Sequence, residues 1–176
     1  MLRSSVCLVV AAAASALVAC SPALDWREVR ADRAALTALF PCRPQRQTRE
    51  LILGGASVRM EMAVCSAGGS TYATSFIDLS DPAAVSGALD ALQASAAVNL
   101  AAAAVPGRQR FGVAGMTPNP RTVRLLLAGR LPDGREVQQH AAFFVKGMRV
   151  YQASVLGAAP KAEAVDTFLG GLKLNS

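Results

Sequence analysis

Few side chains in this sequence are of types that do chemistry, and their spacing decides what each can do. His140 is the single histidine among 176 residues, so any Ser-His-Asp relay has to use it. No Gly-x-Ser-x-Gly turn is present to hold a nucleophile, and Gly54-Gly55-Ala56-Ser57 does not supply one. A lone histidine in a strand-like run reads as structural. Asp78 and Asp81 stand where a strand-like run gives way to a helical one, the spacing of a loop and an N-cap rather than of a general acid–base pair. Gly68-Gly69-Ser70 has no helix opening behind it, which makes it a hairpin turn rather than an anion cradle. Walker and dinucleotide fingerprints are absent. These residues call for no catalytic site, no cofactor and no metal. Arg43, Arg46 and Arg49 cluster after Pro41. They offer a face for anionic lipid headgroups, lipopolysaccharide or an acidic partner. The plainer reading is an arginine-rich composition spread over solvated surface. Aromatic residues are 5% of the chain, too few to interleave with the basic ones, so no nucleic-acid partner is expected.

The N-terminus carries a different kind of signal. Arg3 is followed by a nearly unbroken apolar run from Val6 to Ala19. That length suits the apolar region of a signal peptide and is short for a membrane-spanning helix, which needs about 20 residues. The run ends in Leu17-Val18-Ala19-Cys20, which resembles the bacterial lipobox. The resemblance implies cleavage before Cys20, a diacylglycerol on its sulfur and an acylated amine. Two or more acyl chains make a stable anchor at about 0.8 kcal/mol per buried CH₂. Ser21, where enterobacteria-like sorting would read Asp as a signal for the inner membrane, points to the outer membrane. Residues 1–19 are then a discarded signal peptide, 20–25 a lipidated tether, and 26–176 the folded domain in the periplasm.

The cysteine count changes meaning with that cleavage. Of four cysteines, Cys7 is discarded and Cys20 is lipidated. Cys42 and Cys65 remain as a pair in an oxidising compartment, which reads as a disulfide. The β-like runs 48–53 and 56–64 flank Gly54-Gly55, a hairpin signal. If Leu53 lies opposite Ala56, then Cys65 faces Pro44 and Cys42 is two residues beyond, within reach of a bridge if the chain bends at a proline. Zinc is the competing reading, and it fails for want of ligands, with one histidine and no Cys-x-x-Cys.

The formal charge is +6, hydrophobic residues make up 52% and charged residues 17%, which excludes a disordered chain. Strands are expected at Trp26–Arg30, Ala35–Phe40, across the 48–66 hairpin and at Ser70–Ile77. The period then changes. Asp81 and Pro82 suit an N-cap and first helical position, and Val85, Leu89, Leu92, Ala96 and Leu100 make an apolar stripe on a helix running to about Ala104. Further strands are expected at Arg108–Met116, Arg121–Leu131, Arg135–Val145 and Met148–Leu156, with a turn at Pro132-Asp133-Gly134. Pro160–Gly170 is a second helix and Leu172–Leu174 a last short strand. The order points to one α+β domain, an α/β/α-type sandwich with a mainly antiparallel sheet packed by a long helix and a C-terminal helix.

The short motifs along this order carry a further resemblance. They are Phe40-Pro41-x-x-Pro44, Tyr72 running into Asp78, Asn99 near the end of the helix, Gly129, Pro132-Asp133-Gly134, Phe143-Phe144-Val145, Lys146-Gly147-Met148-Arg149-Val150-Tyr151 and the final Phe168-Leu169 helix. Together they resemble the PsbP/DcrB-like domains of bacterial lipoproteins and envelope proteins, over about residues 26–175. The resemblance implies a non-enzymatic binding or assembly factor that meets another envelope protein. An alternative is a carrier of a small amphiphile in a groove between the long helix and the sheet, where the alanines at 94, 96, 97 and 101–104 leave room. Tyr72, Phe76, Phe143, Phe144 and Tyr151 read as core rather than as a ligand platform.

Overall fold

The computed structural model describes residues 24–53, 55–102 and 107–175. Cys20, residues 1–19 and the start of the tether lie outside the described residues. The order of elements is β1 (Arg27–Ala31), a short 3-10 turn, β2 (Leu36–Phe40), β3 (Gln45–Leu53), β4 (Ala56–Ala67), β5 (Ser70–Asp78), α1 (Ala84–Asn99), β6 (Val123–Arg130), β7 (Glu136–Lys146), β8 (Arg149–Gly157), α2 (Ala162–Gly170) and β9 (Lys173–Leu174). Strands β3-β4-β5-β8-β7-β6, in that spatial order, form a six-stranded sheet in which every neighbouring pair is antiparallel. A smaller sheet, β1-β2-β9, is separate from it, an arrangement the sequence pattern did not announce.

The large sheet is buried on both faces because its strands supply apolar side chains at both parities. In β7, Ala142 and Phe144 enter one core, while Ala141, Phe143 and Val145 enter the other. The first core is closed by α2 and the small sheet. There Phe168 of α2 meets Phe40 and Tyr72 edge-on at 5.2 and 5.4 Å, and Phe144 stacks on Tyr151 at 5.0 Å. The buried Tyr151 hydroxyl donates to the carbonyl of Ala34 at 2.7 Å. That bond satisfies a polar group the core would otherwise strand. Burial pushes the Tyr151 phenol up from its ordinary value. Just above it, the Arg149 guanidinium donates to both carboxylate oxygens of Asp78, at 2.5 and 2.8 Å, and lies 4.7 Å over the Phe76 ring. The second core is closed by α1, whose Val85, Leu89, Leu92, Ala96 and Leu100 are all buried, as the stripe requires.

Three expectations are corrected. The helix begins at Ala84, not at Pro82. The Asp81 carboxylate instead accepts from the Ala83 N–H at 2.8 Å and shapes a lead-in turn. It also stops at Asn99. Ala101 takes a positive φ of 46° and the Ala102 N–H donates to the Ala97 carbonyl at 3.0 Å, a helix-ending pattern that normally uses glycine. Residues 103 and 104 lie outside the described residues. Arg108–Met116 is no strand. It pairs with the sheets only through isolated bridges at Gln109 and Ala114, while Val113 is buried in the first core and Phe111 and Met116 pack against it. The strand expected at Arg121–Leu131 is shorter, Val123–Arg130, and its burial alternates.

The hairpin register places Leu53 opposite Ala56 and Gln45 opposite Val64. Beyond it Cys42 and Cys65 are bridged, with Cα atoms 6.0 Å apart. At the other end of the sheet Gly129 lies under the end of α1. The Arg130 N–H donates to the Leu100 carbonyl at 2.7 Å, and a Cβ on Gly129 would stand 2.0 Å from that oxygen. Reducing the bridge, or Cys42→Ser, is expected to cost roughly 3 kcal/mol in urea unfolding, and the gel-mobility shift on reduction should vanish in the variant. Gly129→Ala should cost about 1–3 kcal/mol by pushing the end of the helix off the sheet, measured by the same unfolding.

Candidate binding groove

α1 lies over β7 and β8 and leaves part of the sheet uncovered on the side of β3, β4 and β5. Between the helix and the β3–β4 hairpin runs an open groove of about 540 Å³. Its walls are apolar. Leu92, Ala96 and Leu100 line one side, and Leu51, Met60 and Met62 the other. Alanine and serine on the helix make the room, since Ser95 and Ala96 lie where larger side chains would reach the hairpin.

The floor is polar, and the strand period explains why. Gln152 and Ser154 share a face of β8 with the buried Val150, and Ser75 shares a face of β5 with the buried Ile77. Under the N-terminal half of α1 these positions are apolar. Under the groove they are Ser75, Gln139, Gln152 and Ser154, with Ser75 directly opposite Gln152. Ser75 and Ser154 are buried. Ser75 Oγ reaches the Gln152 carbonyl only at 3.5 Å. Among the described residues no partner bonds the side chains of Gln139, Gln152 or Ser154. Gln93 on the helix takes no part, because its amide donates to the Arg121 carbonyl at 2.9 Å. Apolar walls over amides and hydroxyls that face the groove suit an occupant with one apolar and one polar side.

The arginine cluster does not form one face. Arg46 stands opposite Ala63 on the side of α2 and the small sheet, while Arg49 stands opposite Met60 and reaches the rim of the groove. Three residues apart on a strand, the two must point to opposite faces. Arg43 lies in the exposed loop beside the disulfide. The two aspartates are engaged in structure, Asp78 by Arg149 and Asp81 by the Ala83 N–H. Both also border a cleft of about 630 Å³ at the start of α1. No cluster of three or more His, Cys, Asp or Glu side chains suited to a metal occurs among the described residues. The floor residues of the groove escaped sequence reading. The signal was there, as polar residues at inward positions of otherwise apolar strands, but it needs the register to be seen.

His140 lies half-buried on β7, beside the Arg124–Asp166 ion pair of 2.9 Å that ties β6 to α2. Burial holds its pKa below the ordinary 6.5, Arg124 adds to that, and Asp166 opposes it. The unfolded chain therefore binds the proton more readily. Stability contributed by neutral His140 is present above about pH 6.5 and is lost as the pH falls below it. Unfolding measured between pH 7.5 and 5.5 should show that loss, and His140→Gln should flatten it.

Comparison with known proteins adds little beyond this geometry. No family model and no curated protein matches the chain. Among solved structures, it is similar to the crystal structure of a protein of unknown function from Pseudomonas aeruginosa. The two are 14% identical, and the match covers 80% of this chain and 85% of that one at a TM-score of 0.37.

Proposed function

We propose that this chain is an envelope lipoprotein. In this reading Cys20 carries the lipid, residues 20–25 are the tether, and a PsbP/DcrB-like domain faces the periplasm from the outer membrane. The domain acts as a non-catalytic binding or assembly factor for another envelope component. Support for the domain assignment comes from the layers, a helix on one face of an antiparallel sheet and a second helix on the other. The Cys42–Cys65 bridge is in keeping with an oxidising compartment. The observation that carries the binding role is the groove along α1, with apolar walls and a polar floor. Tethering holds that groove near the membrane and raises its effective concentration for partners there.

A second reading, a carrier of a small amphiphile, is favoured by the size of the groove. At about 540 Å³ it falls within the range of small-ligand sites, roughly 300–1,000 Å³.

A photo-reactive residue at Ser95 of the full chain, activated in intact envelopes, should yield one reproducible protein adduct. Ala96→Trp, which fills the groove, should abolish it. A small ligand seen by native mass spectrometry, with no protein adduct, reverses the two readings, and neither signal removes the groove from function. Cys20→Ala should move the protein from the membrane to the soluble fraction. Unchanged fractionation would overturn the anchor.

A further inference from the structure

Strand β3 ends the six-stranded sheet: it pairs with β4 and with no other described strand. It is nine residues long, has no proline within it, and is exposed from Gln45 through Glu50. Natural proteins usually shorten, bulge or cover an edge of this kind, since its free N–H and C=O groups are a template for another strand. Next to a two-residue turn the closing pair exchanges both hydrogen bonds, and the alternation follows from there. With Leu53 opposite Ala56, the odd-numbered residues of β3 bond to β4. Arg46, Thr48, Glu50 and Ile52 then turn their backbone groups outward.

The side chains of this outward set are self-complementary. Arg46 and Glu50 are exposed, and among the described residues neither has an ion-pair partner. Arg59, opposite Glu50 on β4, stands beyond ion-pair distance. Ile52 is 70% exposed on the same edge.

We propose that a second copy of this chain pairs antiparallel along β3, about a two-fold axis through Thr48, so that Arg46 of each copy lies opposite Glu50 of the other. A two-fold axis perpendicular to the sheet keeps like faces together, so the pairing must be centred on a residue, and charge selects which one. Centring on Arg49 opposes two guanidiniums. Centring on Glu50 opposes two carboxylates. Centring on Gln47 sets Arg46 against Thr48 and Glu50 against Pro44, so that neither charge meets an opposite one. Centring on Thr48 forms the Arg46–Glu50 pair twice, sets Gln47 against Arg49, and brings Ile52 beside Pro44. Opposite charges directly across a ladder are favourable and like charges are not. The two sheets become one, with both α1 helices on the same side. This inference is independent of what occupies the groove.

The full chain in mild detergent, sized by light scattering and sedimentation, should be dimeric. Arg46→Glu alone and Glu50→Arg alone should each weaken the dimer by about tenfold or more, since each trades two attractions for repulsions. The double variant should restore it. Thr48→Cys should cross-link the copies, because opposed residues that exchange hydrogen bonds have Cα atoms about 5.5 Å apart, within disulfide reach. Thr48→Pro should give a folded monomer, its lost N–H being one that the fold does not use. Should that variant fail to fold, the charge exchange still decides. A monomer at the highest attainable concentration, a dimer indifferent to both single reversals, or an edge that accepts only the strand of another protein would each overturn the proposal.

Discussion

Every side chain from Ala141 to Val145 is buried, and successive ones enter opposite cores. A strand like this cannot lie on the surface of anything. It needs a neighbour on each side for its backbone and a covering layer on each face for its side chains. The neighbours are β6 and β8. The layers are α1 on one face, and α2 with the small sheet on the other. The two layers are unequal. Around Tyr151 and Phe168 the aromatic rings interlock and leave only a small opening of about 150 Å³ beside Ala34 and Phe76, whereas the single helix α1 is too narrow to cover its face. The groove is the uncovered remainder, and its polar floor is what makes that remainder tolerable in water.

Much of this was legible in the sequence because hydrophobic period and turn chemistry act locally. The β3–β4 register followed from Gly54-Gly55, and with it the reach of Cys42 to Cys65. The stripe Val85–Leu100 named the buried face of α1. The start of α1 was placed two residues early because Asp-Pro opens a tight turn first, in which the Ala84 N–H donates to the Asp81 carbonyl before the regular helix begins. Its end was misplaced because a run of alanines carries no stop signal, and Ala101 accepts a backbone conformation that sequence reading reserves for glycine. Arg108–Met116 has alternating residues but meets β6 and β9 at one isolated bridge each, too few to make it a strand.

The site was less legible than the fold. Three arginines at close spacing look like one patch in a list of letters, yet the pleat of β3 sends Arg46 and Arg49 to different faces. The floor of the groove assembles residues from β5, β7 and β8 that are far apart in sequence, and no local pattern joins Ser75 to Gln139. Alanines along α1 hinted at space without saying what would face it.

Gly129 gives that space a mechanical character. With no side chain between them, the carbonyl of Leu100, just past the end of α1, meets the backbone of β6 directly, and the Arg130 N–H holds it there. Rotamer changes cannot widen a joint made of main chain. The helical jaw of the groove is therefore fixed at that end, and any compliance has to come from the opposite jaw, the β3–β4 hairpin, whose outer strand rests on a single neighbour. A guest would be gripped by a stiff bar and a spring, and would be sorted first by its girth.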